Sequence, residues 1–124
     1  MRARGMRRSS LIRIALAWLA CVTLGSLFPW RPWVAAGSIR IVAHLAVFSS
    51  TTMLLLLIAR SPRQRLAAPV AVVALGIAIE CAQHWIYRGP LEWWDMRVDA
   101  YAAIGAYLLA SLPPLRSVLE RERT

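Results

Sequence analysis

Four apolar runs, each about 20 residues long and each closed by arginine or proline, leave this chain few folds to choose from. A helix of that length matches the roughly 30 Å hydrocarbon core of a bilayer. Composition agrees. Of 124 residues, 59% are hydrophobic and 17% charged, against about 45–50% apolar and about 25% charged in soluble domains. The charges also gather at the ends of the runs. We therefore expect an all-α membrane protein: a four-helix transmembrane bundle with short loops. The expected spans are 12–29, 38–59, 66–87 and 95–112. They use most of the length, so residues 1–124 are expected to form a single domain.

The first run follows a basic segment with Arg2, Arg4, Arg7, Arg8 and Arg13. A signal peptide has the same plan. No small-x-small cleavage site follows, however, and Trp18 is a poor fit three residues before Cys21 in the lipobox-like Leu19-Ala20-Cys21. An uncleaved first helix is expected. Pro29-Trp30-Arg31-Pro32-Trp33 ends it, since proline cannot continue a helix and tryptophan suits the headgroup level. The second run holds His44 and the hydroxyl patch Ser49-Ser50-Thr51-Thr52. Such hydroxyls are tolerable in hydrocarbon when they bond to helix carbonyls, their own or a neighbour's. Residues 60–65 read as a short basic turn. Pro69 falls in the first turn of the third run, where a missing N–H costs little. Arg88-Gly89-Pro90 ends that run. Pro113-Pro114 stops the fourth, before a short charged tail.

The formal net charge is +9, and all fifteen Lys/Arg positions are arginine. Eleven of them lie in the N-terminal segment, the 60–65 turn and the tail; Arg31, Arg40, Arg88 and Arg97 lie in the other two loops. The positive-inside rule then places both termini in the cytoplasm and the 88–99 loop outside. The arginines flank apolar runs and form no stripe on a polar fold, so the expected partners are membrane lipids and not nucleic acid. Cys21 and Cys81 show neither a disulfide framework nor a metal-ligand spacing. They are expected to be small buried apolar residues.

Chemistry concentrates between Glu80 and Asp99. That stretch holds four of the six acidic residues, Glu80, Glu92, Asp95 and Asp99, with His84, Trp85, Trp93 and Trp94. Glu80 lies about seven residues from the outer end of its span, roughly 10 Å deep at 1.5 Å per residue. His44 lies about six residues inside the outer end of the second span, roughly 9 Å deep. A lone carboxylate in hydrocarbon is costly and is normally paired, protonated or facing water. Two spans thus place an ionisable group at one level. Glu80 and Gln83 are three apart and share a helix face. Asp95 and Asp99 are four apart at the start of the last span. Asp95 can serve as an N-cap, but Asp99 is a turn too deep for that. Arg88 can answer either carboxylate. Glu92 and Arg97 are expected as interfacial charges, and the tryptophans as interfacial anchors.

The order Glu80-x-x-Gln83, Arg88, Asp95, then a last helix rich in small residues, with His44 upstream, resembles the VanZ-like family of small membrane proteins. The resemblance covers nearly the whole chain. There are departures: Arg40-Ile41 stands where members often have Asp-Lys, Asp99 where an Asn is common, and Ala102 where glycine is usual. The family's name member is linked to low-level resistance to the glycopeptide teicoplanin. The resemblance therefore implies a cell-envelope role in a bacterial inner membrane.

Three functions fit these residues. In the first, His44, Glu80, Gln83, Arg88, Asp95 and Asp99 line an outward cleft that binds a lipid-linked or amphiphilic molecule. In the second, the protein is an intramembrane enzyme acting on a lipid headgroup, with Glu80 or Asp99 as base and His44 as acid–base partner. In the third, the charges only lock helix packing. The motif puts no serine nucleophile beside a base, and Cys81 points to another helix face than Glu80. A metal held by His44, Glu80 and Asp99 is the one alternative, but no ligand-spacing motif supports it, so neither metal nor cofactor is expected. Ala102, Ala103, Gly105 and Ala106 are expected to let the last helix pack closely.

Overall fold

The structure is a computed structural model describing residues 2–29 and 37–123, with side-chain surroundings for 8–29 and 37–121. Among the described residues there are five helices and no strand: α1 Arg2–Leu27, α2 Ser38–Ile58, α3 Pro62–Tyr87, α4 Trp93–Ser111 and α5 Pro113–Arg123. The expected belt residues Trp30 and Trp33 lie outside the described residues. Three helical stretches are long and apolar enough to cross a membrane: Arg8–Leu27, Ser38–Ile58 and Pro62–Tyr87. A fourth crossing emerges only when α4 and α5 are taken together as a pair bent by 83°. The reason is local: Asp95, Arg97 and Asp99 charge the first two turns of α4.

Helix α1 starts at Arg2, ahead of the expected span, and two further helix starts follow from proline being tolerated at the first helical position. The basic segment after Arg60 is largely helix, since α3 starts at Pro62. Ser61 caps it, its hydroxyl accepting from Gln64 N at 3.1 Å. Ser61→Ala should lower stability by about 1 kcal/mol, read as a fall in melting temperature in detergent. Likewise, Pro113-Pro114 ends α4 but opens α5, so the charged tail is itself helical. Leu119 of α5 is buried with Leu56, Ala68 and Ala110, which holds the tail against the bundle.

Helix α2 packs against every other helix, most extensively against α4. Its hydroxyls are satisfied as the sequence suggested. Thr51 and Thr52 donate to the carbonyls of Val47 and Phe48 at 2.7 and 2.9 Å. Ser49 reaches across to Ala102 O at 3.4 Å. Thr51 also accepts from Trp18 Nε1 at 2.9 Å, tying α1 to α2. The main core joins Val22, Phe48, Val72, Ile79, Ala102 and Ala103.

Ala102, Ala103 and Ala106 are buried in the α4 interface. Gly105 is not part of it: a Cβ there would meet nothing within 4 Å. The close approach belongs to Gly76 of α3, where a Cβ would lie 2.8 Å from Asp99 Oδ2 and 3.3 Å from Phe48 Cε1. Outside the core the helices expose large apolar side chains, among them Leu16, Leu24, Val42, Leu66 and Val70. Cys21 and Cys81 are also exposed, not buried as expected. A thiol is apolar enough for such a surface.

Candidate functional site

The C-terminal ends of α1 and α3 and the N-terminal ends of α2 and α4 meet at one end of the bundle. There the ionisable residues of α2 face those of α4. Arg40 pairs with Asp95, and His44 Nδ1 lies 2.6 Å from Asp99 Oδ1. Both pairs are 55 residues apart. One turn along α2 is therefore matched by one turn along α4, and the two helices run parallel as a ladder of two rungs, an arginine–carboxylate ion pair and a histidine–carboxylate hydrogen bond. Residues four apart on a helix lie on one face, which lets Arg40 and His44 meet Asp95 and Asp99 in register.

An ionised carboxylate can only accept, so the deeper rung has His44 Nδ1–H donating to Asp99. The other ring nitrogen, Nε2, lies 3.5 Å from Asp95 Oδ2. The ring also stacks on Phe48, with centroids 5.9 Å apart and planes 7° from parallel. His44 is thus oriented by a carboxylate on one edge and by an aromatic face below. Arg40 also bridges to Glu92. Side-chain exposure falls from 36% at Arg40 through 23% at His44 to 3% at Asp99. The cluster opens at the end of the bundle and closes inward.

The first turn of α4 explains its mouth. The helix begins at Trp93, two residues before the expected start, so Glu92 and not Asp95 occupies the N-cap position. Asp95 is instead a buried first-turn residue. Its backbone N–H bonds to Glu92 O at 3.0 Å. Glu80 lies deeper, at 3% exposure, with an oxygen within 4.8 Å of carboxylate oxygens of both Glu92 and Asp95.

His44, Glu80, Asp95 and Asp99 are therefore together, while Gln83 and Arg88 are not. Gln83 Nε2 donates to Ser26 O at 2.5 Å, and Tyr87 donates to Leu27 O. These two side chains satisfy carbonyls that the end of α1 leaves unpaired. Arg88 makes no ion pair among the described residues. It caps α3 in a left-handed conformation, φ 54°, with its guanidinium 5.8 Å from the Trp85 ring centre. His84 is exposed and bonds Gly89 O. Trp85, Trp93 and Trp94 are exposed around the mouth.

The cation that answers the carboxylates is Arg40, which sequence reasoning treated as a loop charge. Its signal was the spacing: Arg40 and His44 stand four apart, as do Asp95 and Asp99. At the opposite end of the bundle, a concavity of about 310 Å³ is lined by Arg60, Arg65, Tyr107, Ser111, Arg116 and Glu120, among others. Glu120 already holds Arg116 there, at 2.9 Å. The ionic ladder is thus the site with chemistry still to offer.

The fold and site define an all-helical chain with helices suited to crossing a membrane and a half-open ionic cluster at one end. Comparison with family models, with curated proteins and with solved structures finds no match.

Proposed function

We propose that this chain is a VanZ-like protein of a bacterial inner membrane, with four spans, both termini in the cytoplasm and the ionic cluster facing outward. Arginine asymmetry supports the orientation. The fourth span, α4, is charged in its first turns, but Arg40 and His44 answer its two carboxylates, Asp95 and Asp99, which lowers their cost in a bilayer. Helix α5, bent by 83° from α4, then runs along the cytoplasmic surface.

In this reading the cluster binds the polar head of a lipid-linked or amphiphilic molecule. The observation that carries it is the gradient of exposure from Arg40 to Asp99. A device for packing alone gains nothing from an open mouth. Arg40 holds an anionic group of the ligand, and the carboxylates hold hydroxyl or cationic groups. The family's link to teicoplanin makes an envelope lipid intermediate a fitting ligand class.

A polar lipid extract of a bacterial envelope should raise the melting temperature of the detergent-purified wild type. Asp95→Asn should still fold yet lose that rise. An equal rise in both proteins would remove the cluster as the binding site. Collapse of Asp95→Asn without lipid would favour a packing role.

A second reading draws on the 2.6 Å His44–Asp99 pair. A histidine oriented by a buried carboxylate is the arrangement of a general base. Here His44 Nε2 would take a proton from a headgroup hydroxyl or water at the mouth. Mass spectrometry of the same lipids after incubation separates the two readings, since a binder returns them unchanged.

A further inference from the structure

Glu80 stands apart from the ladder. It is 3% exposed, and among the described residues it makes no hydrogen bond and no ion pair. Arg40 and His44 act on it only at longer range. A buried carboxylate without a contact partner is costly. It is also crowded: an oxygen of Glu80 lies within 4.8 Å of oxygens of Glu92 and Asp95. Three segments supply these groups, namely α3, the α3–α4 connection and the first turn of α4. Carboxylates brought so close repel one another unless something positive lies between them. Arg40 reaches Glu92 and Asp95 but makes no ion pair with Glu80.

We propose that Glu80, Glu92 and Asp95 form a site for one hard divalent cation of the magnesium or manganese kind. Carboxylate oxygens suit such ions. Oxygens on opposite sides of an octahedral ion are about 4.2 Å apart, given metal–oxygen distances near 2.1 Å. The three groups therefore need only small side-chain adjustments to close on it. His44 Nε2, facing Asp95, can accept from a water on the ion. Arg40 and the ion compete for Glu92 and Asp95, and the guanidinium, on a long stem at the mouth, is the one that can swing out. The inference rests on the same cluster as the proposed ligand site and deepens it, because a bound cation gives a phosphate or carboxylate head group its counter-charge.

The test uses the full chain in non-ionic detergent, stripped with a chelator and titrated with Mn²⁺ alone, free Mn²⁺ being read by electron paramagnetic resonance. One Mn²⁺ per chain is expected, displaced by Mg²⁺. Glu80→Gln should weaken binding by at least about tenfold, the lower bound for disturbing even an outer partner of a metal site. Glu92→Gln, at the half-buried mouth where folding is less at risk, should do the same. Arg40→Gln should tighten it by removing the competitor. Absence of stoichiometric binding in the wild type, or equal binding in both Gln variants of the carboxylates, overturns the site. Weaker binding in Arg40→Gln overturns the competition. No lipid is present, so failure here leaves the lipid reading standing. Loss of the lipid-induced stabilisation with Mn²⁺ binding intact would sink the lipid reading alone.

Discussion

Asp99→Ala is expected to lower stability by about 1–3 kcal/mol, the usual cost of leaving a buried hydrogen-bonding group without its partner. Asp99 is the most enclosed rung of the ladder, and its loss leaves the His44 ring N–H without its acceptor at 2.6 Å. The methyl side chain also leaves a gap against Gly76 and Phe48. His44→Ala should cost at least as much, because it leaves the Asp99 carboxylate, 3% exposed, without its partner. The informative variant is the double one. If the pair acts as a unit, the Asp99→Ala/His44→Ala protein should be clearly more stable than the two single losses added together. Unfolding in detergent, followed by circular dichroism against a denaturant, reads all three. Strict additivity would mean that the two side chains contribute separately, and the ladder would no longer explain how α2 and α4 find their register.

The second large effect is expected at Gly76. Gly76→Ala places a methyl group 2.8 Å from Asp99 Oδ2 and 3.1 Å from Asp99 Cβ. Both belong to a side chain already held by His44, so neither can give way cheaply. Overpacking of this kind costs about 1–3 kcal/mol. The same change at Gly105 meets open space. There it should stabilise by about 0.5–1 kcal/mol, through the lower helix propensity of glycine. One chemical change with opposite signs at two helical glycines is a sharp test of helix rotation. If both variants melt at the same temperature, α3 and α4 are not packed as described. Gly76→Ala should also disturb the deeper rung, so loss of Mn²⁺ binding beyond the loss of stability would connect packing to the cation site.

Much of this cluster could be read from the chain. His44 and Glu80 share a depth that follows from counting residues inward from the proline and glycine punctuation. Asp99 stood out because it is a turn too deep to cap a helix. Gln83 was placed beside Glu80 by its three-residue spacing, yet it bonds to Ser26 of α1. Three residues advance a helix by about 300°, or 60° short of a full turn. That offset is enough to point one side chain at α4 and the other at α1. Arg88 failed for a different reason. It follows the last turn of α3 in a left-handed conformation that turns the chain, and its side chain leaves toward Trp85. Arg40 was missed because counting arginines by loop treats them as topology markers, while its place in the first turn of α2 makes it a partner.

The sequence by itself determined the helices, their apolar character, and the gathering of ionisable groups at one end. These follow from composition, periodic length and helix breakers, which act within a few turns of the chain. Only the tertiary structure decided that Arg40 and not Arg88 meets the carboxylates, that Gly76 and not Gly105 is the point of closest approach, and that Glu80 makes no hydrogen bond or ion pair among the described residues. Those outcomes depend on how far each helix rotates about its own axis and where two helices cross. Rotation and crossing are set by contacts between residues 55 apart, as at Arg40–Asp95 and His44–Asp99, and no local property of the chain encodes them.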